Sequence, residues 1–247
     1  VLGKQLFDVI VKFADYAFNK SHAYGYALVA YQTAYLKAHY PVEYAACLLS
    51  SVKGNFDKGA IYLSDARASG IAVRTPDINL SRSDFISLMP QGEKAVSFGL
   101  SAIRNVGEGL VEQMLVERDA NGPYATFHDF ADRAPEAVLN KRTVESLIKA
   151  GAFDTLGHPR RGLLMSFERI LDSSITRRRE RDRGIMSLFG DEMASDNGFT
   201  DRVEIPALEF DKTDQLRNEK DMLGLYVSDH PLMGIEHALR RRIDCGI

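Results

Sequence analysis

The sequence has no tryptophan and only two cysteines among its 247 residues. Cys47 and Cys245 stand far apart, and neither belongs to a CxxC or Cys/His pattern. The sequence therefore predicts neither a structural zinc site nor a disulfide framework. It also has no run of about eighteen apolar residues and no signal-peptide pattern at its start. We expect a cytoplasmic location without a membrane partner.

The sequence also lacks an excess of charge of either sign. It carries 31 basic and 34 acidic side chains, and this balance by itself gives no support for a nucleic-acid partner. Two stretches are locally basic. Residues 176–183 hold five arginines against two acidic residues, and residues 137–170 hold six basic against three acidic residues. These stretches indicate either anion-binding surfaces or ordinary solvated helix faces.

Apolar residues recur at helical spacing through the first seventy residues. The four helices predicted from this spacing cover about residues 6–17, 21–38, 41–51 and 57–69. Ser21 is suited to cap the second helix, and Pro41 to open the third. Gly70 is expected to end the fourth, because glycine adopts the positive φ of a helix C-terminus at low cost.

The pattern changes beyond Gly70. Residues 71–75 and 95–99 are predicted to be short extended pieces, with a polar loop through Asn79 and Arg82 and a change of unit near residues 91–92. Helical spacing then returns and dominates to about Leu171. Later segments comprise a small, polar connector over residues 190–202 and a periodic stretch over residues 208–225. The predicted fold is mainly α with a few short strands.

The stretch FGLSAIRNVGEGLVEQMLVER, from Phe98 to Arg118, is typical of a helix-hairpin-helix. A short helix is followed by a tight turn over residues 106–109 and by a second helix. Gly107 and Gly109 leave room for a phosphate at the backbone, and the free N–H groups and dipole of the new helix attract an anion. Such a site holds DNA by its backbone and reads no base sequence. An ordinary turn between two helices is the alternative.

A second stretch, residues 139–171, follows the same logic. Asn140 is suited to cap one helix and Pro159 to open another. Arg160 and Arg161 then lie in the opening turn, where cations oppose the helix dipole, and this favours an external anion as their partner. A neutral surface position is the alternative. Together the two stretches predict two helix beginnings whose exposed amides hold the phosphates of a duplex.

The segment FNKSHAYGYALVAYQTAYLKAHYPVEY suggests a further anion site. Lys20, Ser21 and His22 stand at a predicted helix start, a combination suited to a triphosphate. Tyr31 and Gln32 project further along the same helix. A single histidine is more often structural, and a stripe of tyrosines by itself indicates only helical core.

Four motifs occur in order along the chain: the segment just quoted, FGLSAIRNVGEG, LNKRTVESLIKAGAFDTLGHPR and EKDMLGLYVSDHPL. Together they closely resemble the α subunits of bacterial DNA polymerase III, the C-family replicative polymerases. The resemblance implies the helical end of a fingers domain over residues 1–90 and a tandem helix-hairpin-helix domain over residues 91–175. It further implies a basic segment, a clamp-binding-like motif and a connector over residues 176–202, and a helical connector toward an OB-fold over residues 203–247.

The resemblance also implies roles for particular residues. Those expected to face the incoming deoxynucleoside triphosphate and the template are Lys20, Ser21, His22, Tyr31 and Gln32. Those expected to contact phosphates of duplex DNA leaving the active site are Arg104, Val106, Gly107, Glu108, Gly109, Lys141, Arg142, Arg160 and Arg161. The implied protein partners are the sliding clamp and other subunits of the replicase.

Members of this family dock on the sliding clamp through a short segment, usually a glutamine, two variable residues, an aliphatic residue and a phenylalanine. The corresponding place here reads Ile185, Met186, Ser187, Leu188 and Phe189. Leu188 and Phe189 suit an apolar pocket. Isoleucine in place of glutamine loses that residue's hydrogen bonds.

The sequence offers no pair of carboxylates for nucleotidyl transfer. This chemistry needs two metal ions held by clustered carboxylates, and neither Asp77 nor Asp84 belongs to such a pair. The resemblance implies a DNA-directed DNA polymerase for the whole protein, with catalytic aspartates and Mg²⁺ in an upstream palm domain. We expect no catalytic residue, cofactor or metal site in this chain, and no polymerase activity from it alone. Two other functions remain open: a stand-alone, non-enzymatic helix-hairpin-helix DNA-binding module, and a helical protein-interaction scaffold.

Overall fold

Helices dominate the chain, as the spacing of apolar residues predicts. The computed structural model describes residues 2–14, 20–89, 92–183 and 202–229. The helices within these ranges are α1 (Leu2–Ala14), α2 (Lys20–His39), α3 (Pro41–Ser51), α4 (Phe56–Ala68), α5 (Glu108–Asn121), α6 (Phe127–Arg133), α7 (Lys141–Ala150), α8 (Arg160–Asp182) and α9 (Lys212–Leu223). The prediction of a mainly α fold with a few short strands is confirmed.

Local signals set several of these helix ends. Pro41 opens α3 at its first position, where the missing N–H costs nothing. The side chain of Asn55 caps α4 by accepting a hydrogen bond from the amide of Lys58 at 3.1 Å. Gly70 follows α4 with a φ of +74°. The predicted start at Pro41 and stop at Gly70 are therefore confirmed.

A small sheet lies between α4 and α5. Its strands are β1 (Ala72–Arg74), β2 (Ile86–Leu88) and β3 (Ala95–Ser97), in the order β1-β3-β2. β3 runs parallel to β1 and antiparallel to β2. The extended pieces at β1 and β3 are confirmed, whereas β2 was not predicted.

This sheet joins residues from both sides of the predicted division at residues 90–91. β1 and β2 precede that point, and β3, whose three residues are all buried, follows it. A single cluster of buried apolar side chains likewise extends from Val42 to Val227. The division by role stays a prediction, but residues 42–89 share one core with the segments that follow.

The core is richest in aromatic rings around α6 and the turn that follows α7. Phe153 packs edge-on against Phe127 and Phe130, with ring centres 5.0 and 4.9 Å apart. Tyr124 meets Phe130 edge-on at 5.2 Å. These four side chains are fully buried, and they hold together the helices that carry the candidate interface.

The first two helices differ from the rest in burial. The described side chains of α1 and those of α2 from Tyr24 onward are exposed, including large apolar ones such as Leu6 and Tyr31. No helix in the described ranges is long and apolar enough to cross a membrane.

Candidate nucleic-acid interface

The first predicted hairpin lies on the surface and opens directly into α5. A 3₁₀ turn at Leu100–Ala102 leads into it, and Gly107 is the N-cap of α5 in an extended conformation. Val106 is buried and its amide bonds to the carbonyl of Ile103 at 3.1 Å, which fixes the turn to the core. The helix, tight turn and helix predicted over Phe98–Arg118 are present.

The amides at the start of α5 are open. Gly107, Glu108 and Gly109 are exposed, and none of their N–H groups has a hydrogen-bond partner within the described ranges. A Cβ built on either glycine meets no atom within 4 Å. The unpaired amides and the positive end of the helix dipole therefore face free space, which is the arrangement that binds a phosphate.

Side chains of both signs surround this helix start. Arg104 is exposed and lies over the ring of Phe56, 5.2 Å from its centre. Glu108 pairs with Lys53 at 3.2 Å, and Lys53 also bonds Asp84 at 2.7 Å. The hydrogen bond that Lys53 donates to Asp84, helped by Glu108, raises the pKa of Lys53 above its ordinary value. Lys53 thus stays charged and offsets the carboxylate that stands at the anion-binding turn.

The start of α7 is different, because its first amides are already used. Asn140 accepts hydrogen bonds from the amides of Arg142 at 2.9 Å and Thr143 at 3.4 Å, so the predicted cap is confirmed. The side chain of Arg142 is exposed and has no partner within the described ranges. Lys141 pairs with two exposed carboxylates, those of Glu168 and Asp172. At the start of α7, an anion can therefore contact the Arg142 side chain but not the capped amides of Arg142 and Thr143.

The start of α8, the second predicted helix beginning, is covered by the chain itself. The amide of Gly162 donates to the carbonyl of Leu208 at 2.9 Å, and the amide of Arg160 donates to Glu209 Oε2 at 3.3 Å. A Cβ on Gly162 would lie 1.9 Å from the carbonyl oxygen of Pro206. Residues 202–211, which we call the strap, therefore occupy the position expected for a phosphate.

The structure contradicts the expected contact between Arg160 and a phosphate. Only 3% of it is exposed, and its guanidinium bonds Asp154 at 2.6 Å and the fully buried Glu219 at 3.0 Å. Burial lowers the pKa of Arg160, but the hydrogen bonds and charges of these two carboxylates outweigh it and hold the pKa above its ordinary value. Its partners are internal, and it is not part of the open surface. Arg161 next to it is exposed.

The basic stretch at the end of α8 is also partly tied down. Arg177 pairs with Asp132, and Arg179 pairs with Glu136. Arg178 donates to the carbonyl oxygens of Ala131 and Ala134 at 2.6 and 2.7 Å. The bonds from Arg178 satisfy backbone carbonyls at the end of α6 and in the turn after it. The positive surface that is free to bind an anion is therefore smaller than the local excess of arginines suggests.

The remaining predicted site residues lie on α2 or outside the described ranges. Lys20, Ser21 and His22 form the first turn of α2, and Tyr31 and Gln32 lie exposed further along that helix. Because α2 already includes Lys20, Ser21 lies inside its first turn. The clamp-binding-like motif from Ile185 to Phe189 falls outside the described residues.

The structure adds Asn105, Thr143 and Ser146, which the sequence reasoning missed. Thr143 Oγ1 donates to the carbonyl oxygen of Asn105 at 3.3 Å, and Asn105 Nδ2 donates to Ser146 Oγ at 3.2 Å. These bonds set the start of α7 beside the turn before α5. The one available signal was Asn105 itself, because asparagine is enriched at positive φ in tight turns.

Comparisons with known proteins agree with this geometry. A family model described as the helix-hairpin-helix motif matches residues 70–163. DNA polymerase III subunit alpha of Mycobacterium tuberculosis is 44% identical over 99% of this chain, which covers 20% of that relative. The Thermus aquaticus subunit is 46% identical over 94% of the chain and 18% of the relative, and the Campylobacter jejuni subunit is 40% identical over 93% and 19%. The chain spans about a fifth of the length of these curated relatives.

Proposed function

We propose that this chain is the part of a replicative polymerase that grips duplex DNA by its backbone. It is homologous to DNA polymerase III alpha subunits over about a fifth of their length. The observation that supports this most directly is the row of open amides at Gly107, Glu108 and Gly109. Arg104 stands next to this row, and Arg142 lies on the neighbouring helix start. Binding of this kind is independent of base sequence.

Salt dependence tests this proposal against the protein-interaction scaffold. The affinity of the 247-residue chain for a random-sequence duplex is measured at several salt concentrations. For a surface that neutralises a few phosphates, a plot of log affinity against log salt concentration has a slope of about −0.9 for each phosphate. A scaffold without a DNA surface shows no measurable binding, and that result rejects the proposal. The stand-alone module is disfavoured because the similarity to polymerases extends over nearly the whole chain, α1 to α4 included.

Replacing the hairpin glycines makes the test specific to the open amides. Gly107→Val and Gly109→Val introduce side chains where nothing lies within 4 Å, so they block a phosphate without an internal clash. We expect each to lower duplex affinity roughly tenfold, the equivalent of about 1.4 kcal/mol, with little change in the unfolding midpoint. Gly59→Val is the matched control, since Gly59 also has open space and lies in α4. Equal affinity of all three variants and the original chain would exclude the hairpin as the contact.

We further propose that the chain takes part in nucleotide handling within the whole polymerase. Lys20, Ser21, His22, Tyr31 and Gln32 are the residues proposed to face the incoming nucleotide and the template, supported by the exposure of Tyr31 and Gln32 on α2. Within the described ranges no group of three His, Cys, Asp or Glu side chains is placed to hold a metal ion. The sequence also offers no pair of carboxylates for the two metal ions of nucleotidyl transfer, and we assign that reaction and its Mg²⁺ to other parts of the whole protein. We propose that this chain alone incorporates no nucleotide and acts in the cytoplasm with other replicase subunits.

Attachment to the sliding clamp through Ile185–Phe189 is a separate proposal. Burial of the Phe189 ring in an apolar pocket is worth about 1.5–3 kcal/mol, so Phe189→Ala is expected to weaken clamp binding roughly tenfold or more. Ile185→Gln is expected to strengthen it by restoring hydrogen bonds. Met186→Ala, at a variable position of the motif, serves as the control. Titration of a purified clamp measures all three, and no gain from the glutamine means that the motif has been assigned to the wrong residues.

A further inference from the structure

Asn105 has a backbone conformation that sets it apart from its neighbours. Within the described ranges it is the one non-glycine residue with a positive φ, +65°. It lies between the 3₁₀ turn and the open amides of α5, so its conformation sets the direction in which the chain enters Gly107. Asparagine tolerates this left-handed region better than most residues, but the conformation still has to be held by its surroundings.

A short chain of hydrogen bonds holds it. Asn105 Nδ2 donates to Ser146 Oγ at 3.2 Å, and Ser146 Oγ in turn donates to the carbonyl oxygen of Arg142 at 2.9 Å. Thr143 Oγ1 donates back to the carbonyl oxygen of Asn105 at 3.3 Å. Thr143 and Ser146 are both buried, with 4% and 3% exposed. The turn that presents the open amides is thereby fixed to the turn that carries the Arg142 side chain.

We propose that Asn105 is a positioning residue that sets the spacing between the open amides of α5 and the guanidinium of Arg142, so that both engage phosphates of one duplex at the same time. This inference rests on the proposed duplex-binding function and adds a residue to it. Asn105 need not touch DNA. Its contribution comes from pre-organising two contacts that otherwise move independently.

The test compares Asn105→Gly with Asn121→Gly in the 247-residue chain. Glycine at position 105 keeps access to a positive φ but removes the bond to Ser146. Asn121 is an exposed asparagine at the other end of α5, with its own side-chain bond to Glu117, and its replacement leaves the hairpin untouched. Affinity for a random-sequence duplex is measured across a salt series, and thermal unfolding reports the stability of each variant.

We expect Asn105→Gly to lower duplex affinity about fivefold and to reduce the steepness of the salt dependence by about 0.9, the loss of roughly one phosphate contact. Asn121→Gly should change neither quantity. Arg142→Ala should reduce the slope in the original chain but have little further effect in the Asn105→Gly background, because the two changes remove the same contact. If Asn105 had a purely structural role, its replacement would lower the unfolding temperature and leave the slope of the salt dependence unchanged.

The outcomes distinguish a failure of this inference from a failure of the proposed duplex-binding function. If the original chain binds duplex and the hairpin valine variants weaken that binding, but Asn105→Gly keeps both affinity and slope, Asn105 has no positioning role and the proposed function stands. If the affinity falls with an unchanged slope, and Arg142→Ala is equally harmful in both backgrounds, the positioning role is likewise excluded. If the original chain does not bind duplex, both proposals are wrong.

Discussion

Arg160 shows how one residue type can have opposite roles at adjacent positions. Arg160 and Arg161 look equivalent in the sequence, and both stand in the opening turn of a helix. In the structure Arg160 is buried between Asp154 and Glu219, whereas Arg161 is exposed. A buried ion pair of this kind is costly to break, because removal of one charge leaves the other desolvated and unpaired.

Arg160→Met is therefore expected to lower the free energy of unfolding by about 3–5 kcal/mol, as measured by urea denaturation. The control is Arg161→Met, which should stay within about 0.5 kcal/mol of the original chain because the side chain is exposed. The double variant Arg160→Met/Glu219→Leu should be less destabilised than Arg160→Met alone, since no unpaired buried charge remains. A loss below about 1 kcal/mol for Arg160→Met would mean that Arg160 and Glu219 do not form a buried ion pair in the folded chain.

At the scale of elements, two helix beginnings with similar sequence signals behave differently. The start of α5 faces free space, while the start of α8 is covered by the strap through Leu208 and Glu209. The strap is followed by α9, whose Glu219 bonds Arg160 from α8. The carbonyl of Leu208 and the carboxylate of Glu209 provide at α8 what a phosphate would provide at α5. Of these two helix beginnings, that of α5 is the one left open to a duplex.

The strap makes a prediction about Gly162, which lies inside α8. Helix propensity alone favours alanine over glycine by about 1 kcal/mol at such a position. A Cβ at residue 162, however, would overlap the backbone of Pro206, so Gly162→Ala is expected to destabilise the chain by about 1–3 kcal/mol. Gly59→Ala in α4 has open space and should instead stabilise it.

Chemical denaturation of the two alanine variants provides the measurement, and hydrogen exchange at the amide of residue 162 reports the strap directly. Faster exchange at this amide in Gly162→Ala is expected, because its bond to Leu208 is lost. Stabilisation of both variants to the same extent would mean that the strap does not lie against α8.

At the scale of the whole molecule, the segment from α3 to β2 and the hairpin-bearing helices are held together chiefly by burial. Exposed ion pairs such as Lys53–Asp84 contribute little, about 0–1 kcal/mol each. A buried leucine such as Leu49 or Leu63 contributes about 1.5–3 kcal/mol. The guanidinium of Arg67 adds hydrogen bonds to carbonyls near residue 227. The hairpin thus packs on a core that also includes residues of α3 and α4.

The exposed faces of α1 and α2 are the exception to this packing. Large apolar side chains such as Leu6 and Tyr31 face solvent there, with exposed fractions of 55% and 67%. Apolar surface of this extent is typical of a face that contacts another protein surface. The relatives are about five times as long as this chain.

The sequence by itself determined the features that depend on short-range chemistry. Helical spacing, Pro41, Asn140 and Gly70 predicted where helices begin and end, because caps and backbone preferences act within a few residues. The glycines of the first hairpin predicted an open turn for the same reason. The four motifs in order indicated the family, and the comparisons agree.

Only the tertiary structure decided which of the predicted contacts are free. Whether Arg160 meets Asp154 and Glu219 or an external phosphate depends on a helix 59 residues further along the chain, and no local pattern encodes that distance. The bond from Asn105 to Ser146 likewise spans 41 residues. Charge and glycine content show that an arginine or a helix start can bind an anion. Packing decides whether a carboxylate or carbonyl of the protein itself already occupies that position.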